Sequence, residues 1–214
     1  MPAVIEAVLW DFGGVILSSP FEAFNRYERE HGLPADFIRT LNATNPDTNA
    51  WAQMERSEVD LPTFCRLFEA EAEAAGHRLV GADVLAMLRG DLRPQMVRAQ
   101  QRIKQTGLRQ ALLTNNFASE DEDGHGFSRP DLAHAMDVYD CVIESSKAGV
   151  RKPDPAAYEL VLDALSLPAD RLVFLDDLGI NLKPARAMGM TTIKVVDPDD
   201  ALTELSKVLG LDLA

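Results

Sequence analysis

The sequence predicts an α/β fold, in which a Rossmann-like parallel sheet core is interrupted by an all-helical insertion. Three observations lead to it. Short, nearly continuous apolar runs recur at Ala7–Trp10, Gln110–Leu113, Cys141–Ile143, Leu172–Leu175 and Thr192–Val196, as expected of strands covered on both faces. Segments with helical signatures separate most of these runs, the alternation a parallel sheet requires. The stretch from residue 11 to residue 109 then parts the first run from the second, far more chain than one crossover helix needs.

Each helix has a local reason. Arg93–Gln105 is followed by Gly107, placed to take the left-handed conformation just past a helix end. Asp154 precedes Pro155–Leu165, so an N-cap acceptor is followed by proline at the first helical position. Asp197-Pro198 opens the last helix in the same way, and Gly210 closes it. The long stretch reads as five helices: Phe21–Glu30, Ala35–Leu41, Ala50–Arg56, Pro62–Ala75 and Ala82–Leu88. Apolar residues recur there at helical spacing, in Phe64, Leu67 and Phe68 and again in Val84, Leu85 and Leu88. Glu28 and Arg29 resemble the exposed face of a surface helix. The chain thus divides into a core of residues 1–16 and 91–214 and a helical domain of residues 17–90. The acidic run Glu120–Asp123, with Gly124 and Gly126, reads as a mobile loop.

Composition narrows the function. With 21 basic against 34 acidic residues the formal net charge is −13. A nucleic-acid binder needs a basic face to replace counterions on phosphates, and a polybasic membrane anchor needs the same excess, so both are disfavoured. An acidic protein that handles phosphate needs local positive charge from a metal ion or a few lysines. No stretch approaches the roughly 20 apolar residues of a membrane span, and the amino terminus has no basic leader. A cytoplasmic protein is expected, with Cys65 and Cys141 as free thiols, acting as a monomer or homodimer.

In an open α/β sheet, ligands bind beyond the carboxyl ends of the strands. After the first run come Asp11, Phe12 and Gly13, and after the second Thr114, Asn115 and Asn116. A loop after the third leads to Arg151, Lys152 and Pro153, and the fourth ends at Asp176 and Asp177. Each group alone is ordinary turn or capping chemistry. Together, at successive strand ends, they assemble a metal-assisted phosphate site: carboxylate oxygens for Mg²⁺, neutral donors and an ammonium for phosphate oxygens.

With these residues in this order the sequence resembles the haloacid dehalogenase (HAD) superfamily. The stretches LLTNNF, KPDPAAYELVLDALSLPADRLVFLDDLGINLKPARAMGMTTIKV and DALTELSKVLG are similar to the N-terminal phosphatase domain of soluble epoxide hydrolases. They are similar also to the related domain fused to some acyl-CoA dehydrogenases. The resemblance implies a HAD fold with a C1-type helical cap and a Mg²⁺ cofactor. It implies Asp11 as nucleophile, Thr114 with Asn115 as phosphate binders, and Lys152 as the lysine that steadies nucleophile and phosphate. Asp11, the Gly13 carbonyl and Asp177 would hold the metal, with Asp176 behind them or bound through water. The implied substrate is a small phosphorylated metabolite.

Gly13 departs from the family pattern, where a second aspartate acts as general acid and base, a contribution worth about 10²–10⁴-fold. Glycine keeps the backbone carbonyl and loses the proton transfer. Some relatives resemble this chain in carrying glycine there. His125 lies in the loop after Thr114 and is the one histidine placed to replace the missing group. Lys147 is the runner-up to Lys152. Trp51 and Glu55 could face substrate, but packing within the helical bundle is the favoured expectation for both. Asp11-Phe12-Gly13 also spells a protein-kinase tripeptide, without the glycine-rich loop, strand lysine or catalytic loop of a kinase. Two alternatives to a phosphatase stand: a catalytically weak phosphate-binding or regulatory domain, and a metal-free 2-haloacid dehalogenase. In the latter Asp176 and Asp177 would repel an anionic substrate.

Overall fold

The computed structural model describes residues 4–116, 132 and 135–213. Five parallel strands form one sheet in the order β3-β2-β1-β4-β5: β1 Ala7–Trp10, β2 Arg109–Thr114, β3 Cys141–Glu144, β4 Leu172–Asp176 and β5 Thr191–Lys194. The chain winds outward from β1 to β3, then crosses back to β4 and β5. That reversal opens a crevice at the carboxyl ends of β1 and β4, where ligands of such sheets bind. Register sets what stands there. Trp10 pairs with Leu175, and the Asp11 amide donates to the Leu175 carbonyl at 2.9 Å, so Asp11 and Asp176 leave the sheet side by side.

The inner strands β1, β2 and β4 are buried almost throughout. The edge strands differ from expectation: Val142 of β3 is exposed, as are Thr191 and Lys194 of β5. Apolar composition marked them as covered on both faces, but an edge strand has only one neighbour and part of it meets water. The sheet also stops at Lys194, short of the expected Val196.

The elements linking the strands are α6 Pro94–Thr106, α7 Ser145–Ala148, α8 Pro155–Leu165, α9 Gly179–Ala187 and α10 Pro198–Leu209. One face of the sheet packs Val8, Trp10 and Val173 against Met96 and Ile103 of α6 and Leu202 and Leu205 of α10. The other packs Leu9 and Phe174 against Tyr158 and Val161 of α8 and Leu182 of α9. Asp154 caps α8 and Asp197 caps α10 through backbone amides, while Gly107 and Gly210 close α6 and α10 in the left-handed conformation, as their positions foretold.

Between β1 and β2 lie α1 Phe21–Glu30, α2 Phe37–Ala43, α3 Ala50–Glu55, α4 Leu61–Ala74 and α5 Gly81–Ala86. These helices bury their own cluster, including Phe24, Ile38, Met54, Phe64, Phe68 and Val84. The two connections to the sheet run side by side: Leu17 bridges Leu92, and the Ser18 amide donates to the Asp91 carbonyl at 2.7 Å. Glu28 corrects its expectation. It is only 2% exposed, and its carboxylate accepts from the Asp36 and Ile38 amides at 2.9 Å each. Asp36, the N-cap residue of α2, makes no side-chain cap bond, so a carboxylate from the preceding helix satisfies donors that would otherwise lack partners. Arg29 is exposed, as expected.

Candidate active site

Lys152 is 1% exposed. Its ammonium lies 2.7 Å from Asp11 Oδ1 and 2.8 Å from Asp176 Oδ2. Burial works against the lysine's charge, but the two carboxylates outweigh it and hold its pKa above the ordinary value. Asp11 Oδ1 also accepts from the Phe12 amide at 2.7 Å, so both of these contacts fall on one carboxylate oxygen. Burial raises the Asp11 pKa well above the usual range, opposed by Lys152 and reinforced by Asp176 and Asp177.

Asp176 is fully buried, and both its oxygens are engaged. Besides Lys152, it accepts from the Leu178 amide at 2.8 Å and from Asn181 Nδ2 at 3.1 Å to each oxygen. Asp177 is less enclosed. Burial and the neighbouring Asp176 push its pKa up from 3.8 to about 6. Gly14 makes room for it: at φ +80° its backbone suits glycine, and a Cβ there would stand 2.2 Å from Asp177 Oδ2. Gly13 has no such restriction, since a Cβ would meet nothing within 4 Å.

Asp11, Asp176 and Asp177 offer oxygens within 4.8 Å of one another. Three carboxylates gather around one ammonium, and their mutual repulsion adds to burial in raising the pKa values of Asp11 and Asp177. A divalent cation would relieve it, and an all-oxygen carboxylate set suits a hard cation such as Mg²⁺.

Thr114, the last residue of β2, is 4% exposed and lines the cleft. Asn115, expected as a phosphate donor, lines the cleft, and its side-chain amide clamps the backbone of Lys152. Its Oδ1 accepts from the Lys152 amide and its Nδ2 donates to the Lys152 carbonyl, both at 2.9 Å. Lys147 pairs with Glu144, leaving the carboxylates to Lys152. His125 and the 120–126 loop lie outside the described residues.

A cleft of about 1820 Å³ joins the sheet's carboxyl edge to the helical insertion. Asp11, Gly13, Thr114, Asn115, Lys152 and Asp177 line one side, and Phe21, Phe24, Trp51, Met54, Leu85 and Leu88 the other. Trp51 does pack in the bundle, edge-on to Phe24 and Phe64, and also lines the cleft. Glu55 departs from expectation: it reaches out of the bundle to Arg151, Nε to Oε2 2.8 Å. Sequence reasoning assigned no role to Gly14 or Arg151, and Asn181 was missed. For Asn181 a signal existed, an amide one helical turn beyond the Asp176-Asp177 pair.

A parallel sheet with carboxylates and a lysine gathered at the ends of its central strands, beneath helices inserted after β1, defines the HAD class of fold. The chain belongs to the haloacid dehalogenase-like hydrolase family, whose model matches residues 5–189. It is 40% identical over 218 residues to bifunctional epoxide hydrolase 2 of Rattus norvegicus, covering 96% of this chain and 39% of that protein. The chain thus spans about two fifths of that relative's length. It is 30% identical over 194 residues to a phosphatase of Mycobacterium tuberculosis, covering 87% of this chain and 85% of that one. A HAD family enzyme of Bacteroides thetaiotaomicron, solved with magnesium and inorganic phosphate, shares the fold at a TM-score of 0.57 and 17% identity. The match covers 89% of this chain and 93% of that one. Among the described residues no helix is long and apolar enough to cross a membrane.

Proposed function

We propose that this chain is a Mg²⁺-dependent phosphatase that hydrolyses small phosphate monoesters through a phospho-aspartate on Asp11. The observation that carries this reading is the buried Lys152 bridging Asp11 and Asp176, with Asp177 alongside, at the floor of the cleft. A bound Mg²⁺, held by Asp11, Asp177 and the Gly13 carbonyl, would neutralise phosphate charge and align the ester. Asp176 is already engaged by Lys152, Asn181 and Leu178, which suits a supporting place behind the metal.

The Asp11 carboxylate attacks phosphorus in line, and the alkoxide or phenoxide leaves toward the helical insertion. Lys152 holds the nucleophile in place and offers its charge to the phosphoryl oxygens, as does the Thr114 hydroxyl through a hydrogen bond. Asn115 acts by fixing Lys152. Water then hydrolyses the phospho-aspartate. Residues 17–90 form the unit that covers the cleft and excludes bulk water. Its aromatic and aliphatic lining favours esters whose organic group carries apolar surface. The likeness to a mycobacterial phosphatase supports the same reaction class.

The second reading, a phosphate-binding domain with little turnover, draws on Gly13, which has no carboxylate to protonate a leaving group. A panel of aryl, alkyl and sugar phosphates, assayed with Mg²⁺ and with a chelator, separates the two. Metal-dependent release of phosphate from any panel member supports the enzyme. Phosphate binding without turnover across the panel contradicts it.

A further inference from the structure

Glu55 stands at the carboxyl end of α3, in the helical insertion, yet its partners belong to the sheet domain. Its carboxylate is 8% exposed as a residue. Its Oε2 forms an ion pair with Arg151, 2.8 Å from Nε, its Oε1 accepts from Trp51 Nε1 at 3.0 Å, and Asn115 Nδ2 lies 3.5 Å from Oε2. Its backbone carbonyl accepts from Ser145 Oγ at 2.7 Å. Arg151 precedes Lys152 in sequence, and Asn115 grips the Lys152 backbone from the other side through both its amide and its carbonyl. Two of the groups at the Glu55 carboxylate therefore adjoin the lysine, Arg151 as its chain neighbour and Asn115 through its clamp on the Lys152 backbone.

We propose that Glu55 is a positioning residue, which sets Lys152 against Asp11 through Arg151 and Asn115 when the insertion is seated on the sheet. The proposal rests on the phosphatase reading for its kinetic consequence and on geometry for its structural one. With the insertion lifted, Arg151 loses its counter-ion and sits beside the lysine as a second cation. Asn115 loses one of the contacts that orient its amide. With the insertion seated, the ion pair forms in a partly enclosed place, where charge pairs are screened less than at an open surface. Lys152 is then held in register with Asp11 only when the cleft is covered, which ties the reactive geometry to exclusion of water.

The test is a double-mutant cycle on Glu55→Gln and Arg151→Gln, read by p-nitrophenyl phosphate kinetics with saturating Mg²⁺ and by amide hydrogen exchange. If Glu55 acts through Arg151, each single variant lowers kcat by tenfold or more with little change in KM. The double variant is then no worse than the weaker single one, the non-additivity expected of residues that act as a unit. Exchange should rise at residues 150–153 in Glu55→Gln while the amides of β1 and β4 keep their protection. Additive losses in kcat, an unchanged kcat in Glu55→Gln, or unchanged exchange at residues 150–153 would each overturn the proposal. Should the wild-type protein itself hydrolyse no phosphate ester, the phosphatase reading fails and the exchange comparison alone decides for or against the role of Glu55.

Discussion

Lys152 and Asp11 meet at 2.7 Å, the ammonium of a lysine that is 1% exposed against the carboxylate at the end of the central strand. Neither group would be stable there alone, since an ion moved out of water without a partner costs several kcal/mol. With Asp176 on its other side, the lysine has two anions and its charge is held. The same contact keeps Asp11 from turning away from the cleft. Under the proposed mechanism, stability and reactivity therefore depend on one cation.

Replacing that cation exposes both roles. Lys152→Met should lower the free energy of unfolding by about 3–5 kcal/mol, the usual cost of leaving one side of a buried pair unpaired, and should abolish turnover. Adding Asp176→Asn should recover part of the stability and none of the activity. Urea denaturation of the three proteins measures this, and a Lys152→Met variant as stable as wild type would refute the pairing.

Mg²⁺ should raise the melting temperature in a saturable way, because a ligand that binds only the folded state stabilises it by mass action. Asp177→Ala should erase the response. Asp176→Ala should weaken it less but destabilise the metal-free protein, since it strips partners from Lys152, Asn181 and Leu178. Thermal melts with titrated Mg²⁺ distinguish the two positions. Tight binding by the Asp177 variant would contradict the assigned coordination.

Metal-free protein should show the strain of its carboxylates as a pH dependence. The folded-state pKa of Asp177 is raised from 3.8 to about 6, so between those values the folded state binds more protons than the unfolded one. Stability from this group therefore falls as pH rises through that window and is regained on acidification. Melts from pH 4 to pH 7 in chelator should show a slope that Asp177→Asn reduces. Saturating Mg²⁺ should reduce it too, by favouring the ionised form. An identical slope in wild type and Asp177→Asn would place the crowding elsewhere.

Gly13 allows a test of the missing acid. A Cβ at Gly13 would meet nothing within 4 Å and its backbone is not in the left-handed region, so Gly13→Asp is open to the backbone. Wild-type rates should fall steeply as the leaving-group pKa rises, with aryl phosphates cleaved far faster than alkyl ones. Gly13→Asp should raise alkyl phosphate hydrolysis by tenfold or more and aryl hydrolysis by less. A flat leaving-group dependence in the wild type would show that another group delivers the proton.

The parts legible in the sequence were those with local causes. The apolar runs of β1, β2 and β4, the capping residues Asp154 and Asp197 and the closing glycines Gly107 and Gly210 all act within a few residues of themselves. Asp11, Thr114, Asp176 and Asp177 were visible because they stand at strand ends of one parallel sheet, and Lys152 because it lies in the connection that follows β3 on the same edge. The helix α9 was not visible: it starts without a side-chain cap and contains Pro184, both of which hide a helical signature. Glu28 looked solvated because a capping carboxylate and a surface carboxylate have the same pattern. The contacts of Gly14 and Glu55 were hidden for another reason. What makes them matter lies across the fold, at Asp177 for one and at Arg151 for the other, and no local spacing records such a contact.

The central claim is that Asp11 is the nucleophile, and Asp11→Asn tests it most directly. The amide is nearly isosteric and can still accept from Lys152, so the circular dichroism spectrum should be unchanged. Turnover of p-nitrophenyl phosphate in Mg²⁺ should fall to the background of a heat-killed sample, because a neutral amide is a poor nucleophile and cannot form a phospho-aspartate. A folded Asp11→Asn protein that retains more than a small fraction of wild-type turnover would contradict the account.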